Sequence, residues 1–440
     1  MTWHIVTQIG SEDVFHPDLP ASEPRLVVGI DKPGAPTLVT NDLFRSVQRD
    51  GYQVPTTAVD LLNVALAVYT ADLRVWRGYT EDQWTRSFTL YVPVTDPSAW
   101  TTAVPLLVRL ASFLTGDHWE ILLRERSSEE NPRSTDVEPP RAHAVSLFSG
   151  GLDSFVGAID LLSEPGTLAL VGQYANSQKD QQRAYDALAA AHPDRTLPFW
   201  FHVSPSLGKD ENGKPRKSED TTRSRSLLFL ALGTAIANAM EPGTPLYVPE
   251  NGLISLNVPL TSSRIGSSST RTTHPYTVRL YREILNAIGI AVPLVLPYRF
   301  VTKGQMLSNV RDPGLLASGV HATMSCSRPM FGRYRGLPQD VHCGYCVPCI
   351  IRRAALACVG MDNETRHFDI LNESASPREA RGVDRRAFQI AIQRIADMSP
   401  FQLASEVLSS GPIPDADVDG SIAVFRRGID EVSRFFAGTR

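Results

Sequence analysis

Short apolar segments alternate with helical segments over residues 144–248, and this alternation limits the fold more than any other feature of the sequence. The segments AVSLF, TLALVGQY, LPFWFHVS and PLYVP read as strands, and three helical patterns separate them. Strands joined through helices form parallel sheets with right-handed crossovers, and ligands bind such sheets at the carboxyl ends of the strands. We therefore predict an α/β fold with a parallel sheet.

A glycine-containing turn joins the strand at Ala144–Phe148 to the next helical segment. Its glycines allow a sharp corner that brings backbone N–H groups close to an anion, and the following helix presents its unpaired N–H groups to the same place. Two serine hydroxyls can add donors, whereas the aspartate suits a phosphate site only if Mg²⁺ lies between them. We predict a phosphate-binding loop; the alternative is a simple helix cap at Ser149 or Asp153. The loop residues are Ser149, Gly150, Gly151, Leu152, Asp153 and Ser154.

Three cysteines form a C-x2-C-x2-C group, and a fourth lies upstream. Four thiolates suit tetrahedral Zn²⁺, so we predict a structural zinc site with no open position for water. An iron–sulfur cluster is one alternative, although the ferredoxin run needs a further cysteine where Arg353 stands. Buried free cysteines are the other. The fifth cysteine, Cys358, lies in a predicted helix, and we expect its side chain to belong to the hydrophobic core of the protein. The proposed ligands are Cys326, Cys343, Cys346 and Cys349.

The overall charge gives no general attraction to nucleic acid or to anionic membranes. The chain of 440 residues is 42% hydrophobic and 20% charged, with a formal net charge of −4, as in ordinary globular proteins. No apolar run reaches the roughly 18 residues of a membrane span. The first residues, MTWHIVTQIGSED, lack the basic and apolar regions of a secretory signal, and clustered cysteines suit a reducing compartment. We expect a cytoplasmic protein.

A polar, proline-containing stretch at residues 127–143 predicts a linker. Before it, residues 1–126 carry helical and strand patterns, and we predict an α+β domain for packing, for homodimer formation or for binding a partner. Residues 144–360 hold the glycine turn and the cysteines. The remaining residues, 361–440, carry helical patterns and predict a helical extension.

The glycine turn resembles the pyrophosphatase loop of ATP-dependent adenylating enzymes. Together with the cysteine group it resembles the 7-cyano-7-deazaguanine synthase (QueC-like) family, over about residues 144–360. The further segments that carry this resemblance are Gly172-Gln173, Arg225–Leu230 (RSLLFL), His274-Pro275, Ser325-Cys326, Cys343–Cys346 (CGYC) and Arg352.

Three departures from that family matter. Ser226 stands where the family has asparagine, and its Y-P-D-C-R run is largely absent. Residues 1–140 have no counterpart in the housekeeping enzyme. With these additional N-terminal residues, the chain resembles the extended QueC-like proteins of bacterial antiphage systems of the Qat type.

The resemblance implies an adenine-nucleotide alpha-hydrolase-like (Rossmann-like) fold and a ligase that uses ATP, Mg²⁺ and Zn²⁺. It implies that 7-carboxy-7-deazaguanine is adenylated and then captured by an amine, which the extra domain suggests belongs to a partner protein. A nitrile-forming synthase, a tRNA-modifying enzyme with the same loop and a non-catalytic scaffold remain alternatives. The implied nucleotide-binding residues are the loop and Gln173. The implied catalytic residues are Ser149, Asp153, Ser154, Arg225 and Lys303, with Arg223, Arg264 and Arg271 as further candidate cations.

Overall fold

The computed structural model describes most of the chain. The described residues are 1–41, 47, 50–126, 138–174, 178–208, 214–221, 223–260, 271–332, 336–338, 340–376 and 379–438. Arg264 and residues 127–137 of the predicted linker lie outside them.

Ten strands form one sheet, in the order β10-β9-β6-β7-β8-β3-β2-β1-β4-β5. Every neighbouring pair is parallel except β3 and β8, which run antiparallel. The largely parallel α/β sheet predicted from the alternating segments is thus confirmed. The strands are β1 Thr2–Ile9, β2 Arg25–Ile30, β3 Thr37–Asn41, β4 Ser87–Val94, β5 His118–Glu125, β6 Ala144–Leu147, β7 Leu168–Tyr174, β8 Thr196–Pro205, β9 Leu246–Tyr247 and β10 Leu294–Val295.

Helices connect most of these strands and form the C-terminal region. None of the described helices combines the length and the hydropathy that a bilayer crossing needs. The helices are α1 Thr56–Arg74, α2 Val104–Thr115, α3 Leu152–Leu162, α4 Gln178–Ala191, α5 Arg225–Met240, α6 Gly252–Leu256, α7 Pro275–Ala287, α8 Lys303–Ser308, α9 Pro313–Gly319, α10 Val347–Cys358, α11 Ala380–Ala396, α12 Pro400–Leu408 and α13 Asp415–Ala437.

The N-terminal strands are more regular than the sequence analysis predicted. An α+β domain was expected for residues 1–126, but β1 to β5 pair with one another only in parallel, in the order β3-β2-β1-β4-β5. This expectation is corrected to a parallel sheet. The strands β1, β2 and β3 were not predicted individually, although the Gly- and Pro-containing segments GSEDVFHPDLPASEP and DKPGAP separate them.

The N-terminal sheet and the later sheet are physically continuous. The bridge is the antiparallel pair of β3 and β8, in which Val39 lies opposite Pro205. Above it, α1 packs against α5, and one apolar core contains residues from both halves of the chain. Tyr52 and Phe199 meet in this core edge to face, with ring centroids 5.5 Å apart.

A buried ionic network fastens the N-terminal residues to the start of α5. Arg86 is fully buried, and its Nη2 donates to Asp72 Oδ1 at 2.5 Å and to Asp117 Oδ2 at 2.6 Å. Arg77 donates to the other oxygen of Asp117 at 2.7 Å. The second oxygen of Asp72 accepts from the backbone N–H and the hydroxyl of Ser224, the N-cap residue of α5. Asp72 therefore joins the two halves.

Removing one carboxylate from this network should destabilise the protein strongly, because a buried guanidinium then loses its partner. For Asp117→Ala we expect a loss of about 3–5 kcal/mol in the free energy of unfolding, measured by chemical denaturation. Glu81→Gln, at an exposed position of the same region, is the control and should change stability by less than about 0.5 kcal/mol. Equal stability of the two variants would contradict this account.

Candidate functional site

The glycine turn forms the corner between β6 and α3. Gly150 has a φ of +76°, in the left-handed region that glycine tolerates best. A Cβ at this position would lie 2.7 Å from Gln181 Cα, so any side chain would collide with the backbone of α4. Gln181 also donates from Nε2 to the carbonyl of Phe148 at 3.1 Å. The corner therefore requires glycine for two separate reasons.

The N-terminus of α3 is capped by a residue without a side chain. The N-cap is Gly151, so neither Ser149 nor Asp153 caps the helix, contrary to the alternative interpretation of the sequence. The two serines of the loop lie close together, with their Oγ atoms 3.4 Å apart. Ser149 Oγ accepts from Gly151 N at 3.3 Å, and Ser154 Oγ donates to the carbonyl of Gly151 at 2.9 Å. Two hydroxyls and the start of a helix thus converge on one corner.

Asp153 points towards the ends of the neighbouring strands β9 and β10. Lys303 Nζ lies 2.6 Å from its Oδ1, and Asn251 donates to its Oδ2 from Nδ2 at 2.7 Å and from the backbone at 3.2 Å. Lys303 and Asn251 are buried, 6% and 0% exposed. The ion pair is close but poorly aligned, because Asp153 Oδ1 is buried and no described donor reaches it with hydrogen-bond geometry. This carboxylate oxygen therefore keeps lone pairs that fit a bound cation such as Mg²⁺.

Glu250 lies directly before Asn251 and adds a second carboxyl group to this end of the sheet. Its side chain accepts a short hydrogen bond from Thr273, which also contacts Ser255 Oγ at 2.7 Å. Burial and the nearby Asp153 raise the pKa of Glu250 to about 7, against the effects of Thr273 and Lys303. The site thus contains two carboxyl groups beside one buried ammonium group.

Gln173 and Arg225 meet at the carboxyl end of β7, the strand beside β6. Arg225 donates from Nε to Gln173 Oε1 at 2.7 Å and from Nη2 to the Gln173 carbonyl at 2.9 Å. Burial lowers the pKa of Arg225, although the guanidinium stays charged. The structure thus places both residues at the carboxyl end of the sheet, the same end at which the glycine loop lies.

Two other candidate cations have structural contacts elsewhere. Arg223 donates to the carbonyl of Thr115 at 2.8 Å and lies over the ring of Trp84, and Arg271 donates to the carbonyl of Phe113 at 2.8 Å. Both therefore bind N-terminal residues. These contacts do not support the prediction that Arg223 and Arg271 are phosphate-binding cations.

The four predicted cysteine ligands lie together. Their Sγ atoms all lie within 4.8 Å of one another, with 3.9 Å between Cys326 and Cys346 and 3.8 Å between Cys343 and Cys349. A tetrahedral ion with Zn–S bonds of about 2.3 Å holds its sulfurs about 3.8 Å apart. A multi-iron cluster distributes its four thiolates over two or four irons and therefore separates some of the sulfurs further. The group could therefore hold a single metal ion such as zinc.

The backbone explains how the cysteines converge. Gly344, between Cys343 and Cys346, has a φ of +83°. A Cβ there would lie 1.9 Å from the carbonyl oxygen of Phe368, so this turn requires glycine. Cys346 is the N-cap residue of α10, and Cys349 lies in its first turn. Cys358, expected in the core, is instead exposed near the end of α10.

Ser325 connects the cysteine group to the glycine corner. Its hydroxyl accepts from the N–H of Leu152 in α3 at 3.1 Å and from Arg352 Nη1 at 3.3 Å. Arg352 is 1% exposed, and it also donates to Glu364 from Nε at 2.8 Å and from Nη2 at 2.5 Å. Because Ser325 precedes Cys326, the cysteine group and the N-terminus of α3 hold each other in place.

Sequence reasoning missed the residues that surround Asp153 and Lys303. Asn251, Glu250 and Glu431 belong to no motif, and they approach the site from loops and from the C-terminal helix. The polar pair Glu250-Asn251 directly after the segment PLYVP was the available signal, since polar residues at the end of a parallel strand commonly line a site.

Searches against protein-family models and curated proteins found no match to this chain.

The cysteine group gives a direct prediction about metal content. Purified protein should contain one zinc ion per chain by elemental mass spectrometry, because four thiolates complete a tetrahedral site. Cys346→Ser should lose most of this zinc, since a hydroxyl is a poor ligand for zinc. Cys358→Ser is the matched control and should keep the full content, because Cys358 is outside the group. Zinc retained by Cys346→Ser and lost by Cys358→Ser would overturn the assignment.

Proposed function

We propose that this protein uses ATP to adenylate a carboxylate, 7-carboxy-7-deazaguanine or a close analogue, and then transfers the acyl group to an amine. The observation that carries the proposal is the convergence on one corner of a helix N-terminus, two serine hydroxyls, the buried Lys303 and the buried Asp153 oxygen. Such a corner suits a triphosphate and its metal ion. The identity of the carboxylate substrate is inferred from the resemblance of the motifs to the QueC-like family.

The chain's own residues have distinct tasks in this reaction. The carboxylate oxygen attacks the α-phosphorus of ATP, the bond to the β-phosphate oxygen breaks, and pyrophosphate leaves. Backbone N–H groups of the corner and the Lys303 ammonium would stabilise the charge on that leaving group. Mg²⁺, held by Asp153, would supply further charge neutralisation. The rigid glycine corner keeps these groups aligned before the substrate arrives.

The second step forms the new C–N bond. The amine attacks the acyl carbon, the bond to AMP breaks, and the amine nitrogen loses a proton. The choice of a protein as acceptor rests on residues 1–126, which share the main sheet with the glycine corner and have no counterpart in the housekeeping enzyme. The resemblance to the extended members of antiphage systems also favours a protein acceptor, which would be encoded by a neighbouring gene. Zinc would have a structural role only.

The first step is testable by pyrophosphate release. Wild-type protein with ATP, Mg²⁺ and 7-carboxy-7-deazaguanine should release pyrophosphate and AMP in equal amounts. Lys303→Met should lower kcat by about 10²–10³, as expected for the loss of a group that stabilises transition-state charge. Lys179→Met, at an exposed position near the loop, should behave as wild type. Unchanged turnover by Lys303→Met, or no pyrophosphate from wild type with any carboxylate tested, would reject the proposal.

The acceptor is testable by mass spectrometry. With ammonia alone, the alternative reaction would give a free amide or nitrile. With a genetically neighbouring protein added, we expect that protein to gain the mass of the deazaguanine acyl group. A product confined to the free nitrile would contradict transfer to a protein.

A further inference from the structure

The C-terminal helix α13 lies against the segment that carries Lys303. Arg427 on α13 donates to the carbonyl of Phe300 at 2.7 Å, and Asp417 lies 3.5 Å from Arg299. The backbone of Gly252 in α6 also donates to the carbonyl of Val301 at 2.9 Å. Residues 299–301 therefore contact both α6 and α13 shortly before Lys303.

One carboxylate on α13 contacts the first turn of α8, which begins with Lys303. Glu431 is 7% exposed; one of its oxygens accepts a short hydrogen bond from Thr302 Oγ1, and the other accepts from Gly304 N at 3.2 Å. A Cβ on Gly304 would lie 2.7 Å from Glu431 Oε1, so this approach needs glycine. Glu431 therefore contacts the residues on both sides of Lys303.

Thr302 completes a rigid unit around this contact. Its hydroxyl accepts from Gln305 N while it donates to Glu431, and Gln305 accepts in return from Thr302 N. The capping box fixes the start of α8, and Glu431 fixes the capping box. Burial raises the pKa of Glu431, with the backbone N–H and the Thr302 hydroxyl acting in the opposite direction.

We infer that Glu431 is a positioning residue, through which α13 places the Lys303 ammonium against Asp153 at the glycine corner. Its role in turnover rests on the proposed function, but its effect on Lys303 does not. The helix belongs to the extension after residue 360, for which the sequence suggested no role. On this inference, the C-terminal extension helps to position Lys303 in the site.

The test follows the reactivity of Lys303, which needs no substrate. Labelling by an amine-reactive reagent, followed by peptide mass spectrometry, should modify Lys303 slowly in the wild type. Glu431→Gln keeps the shape but replaces one accepting oxygen, so we expect labelling of Lys303 to rise about tenfold, as for the loss of one charged hydrogen bond. Asp430→Asn, exposed on the same helix, is the matched control and should leave the rate unchanged.

A double-mutant cycle separates positioning from general stability. Glu431→Gln should weaken ATP binding about fivefold in the wild type and by less than about twofold in a Lys303→Met background, because the two residues act as one unit. Glu431→Asp should restore part of the loss. If Glu431→Gln fails to fold, Thr302→Val tests the same contact.

The outcomes distinguish this inference from the proposed function. Faster labelling of Lys303 in a protein that binds no ATP would support the positioning role and reject the adenylation. Labelling equal to that of Asp430→Asn, or fully additive effects on ATP binding, would overturn the positioning role.

Discussion

The site depends on one backbone corner, at which the chain leaves β6 through Gly150 and enters α3. The positive φ of Gly150 and its contact with the α4 backbone leave room for glycine alone. The turn places a helix N-terminus at the carboxyl ends of parallel strands, where backbone dipoles favour an anion. Ser149, Ser154 and Asp153 lie at this end of the sheet because the corner sets their directions.

Three separate regions stabilise this corner. The cysteine group reaches it through Ser325, which accepts from an N–H of α3 and from the buried Arg352. The C-terminal helix reaches it through Glu431 and the first turn of α8. The N-terminal residues reach the neighbouring strand through Asp72, whose carboxylate binds the N-cap of the helix that begins with Arg225. The regions that look like additions to a small α/β domain therefore all contact the elements that carry its site.

Local patterns predicted much of this arrangement. The strand, glycine turn and helix at residues 144–162 occur in the predicted order, with boundaries within about two residues of those expected, and the four cysteines converge as their spacing indicates. Such features are determined within a few residues by backbone geometry and ligand chemistry. The antiparallel junction of β3 and β8 could not be predicted in this way, because it joins segments about 165 residues apart. The surroundings of Lys303 were missed for the same reason, since Asn251 and Glu431 are distant in sequence.

The most direct test of the account is a crystal structure with a non-hydrolysable ATP analogue and Mg²⁺. The account predicts the β- and γ-phosphates within hydrogen-bond distance of the backbone N–H groups at Gly151–Ser154, with Lys303 Nζ beside them and the metal ion on Asp153. A nucleotide bound elsewhere on the protein, with this corner empty at saturating concentration, would contradict it.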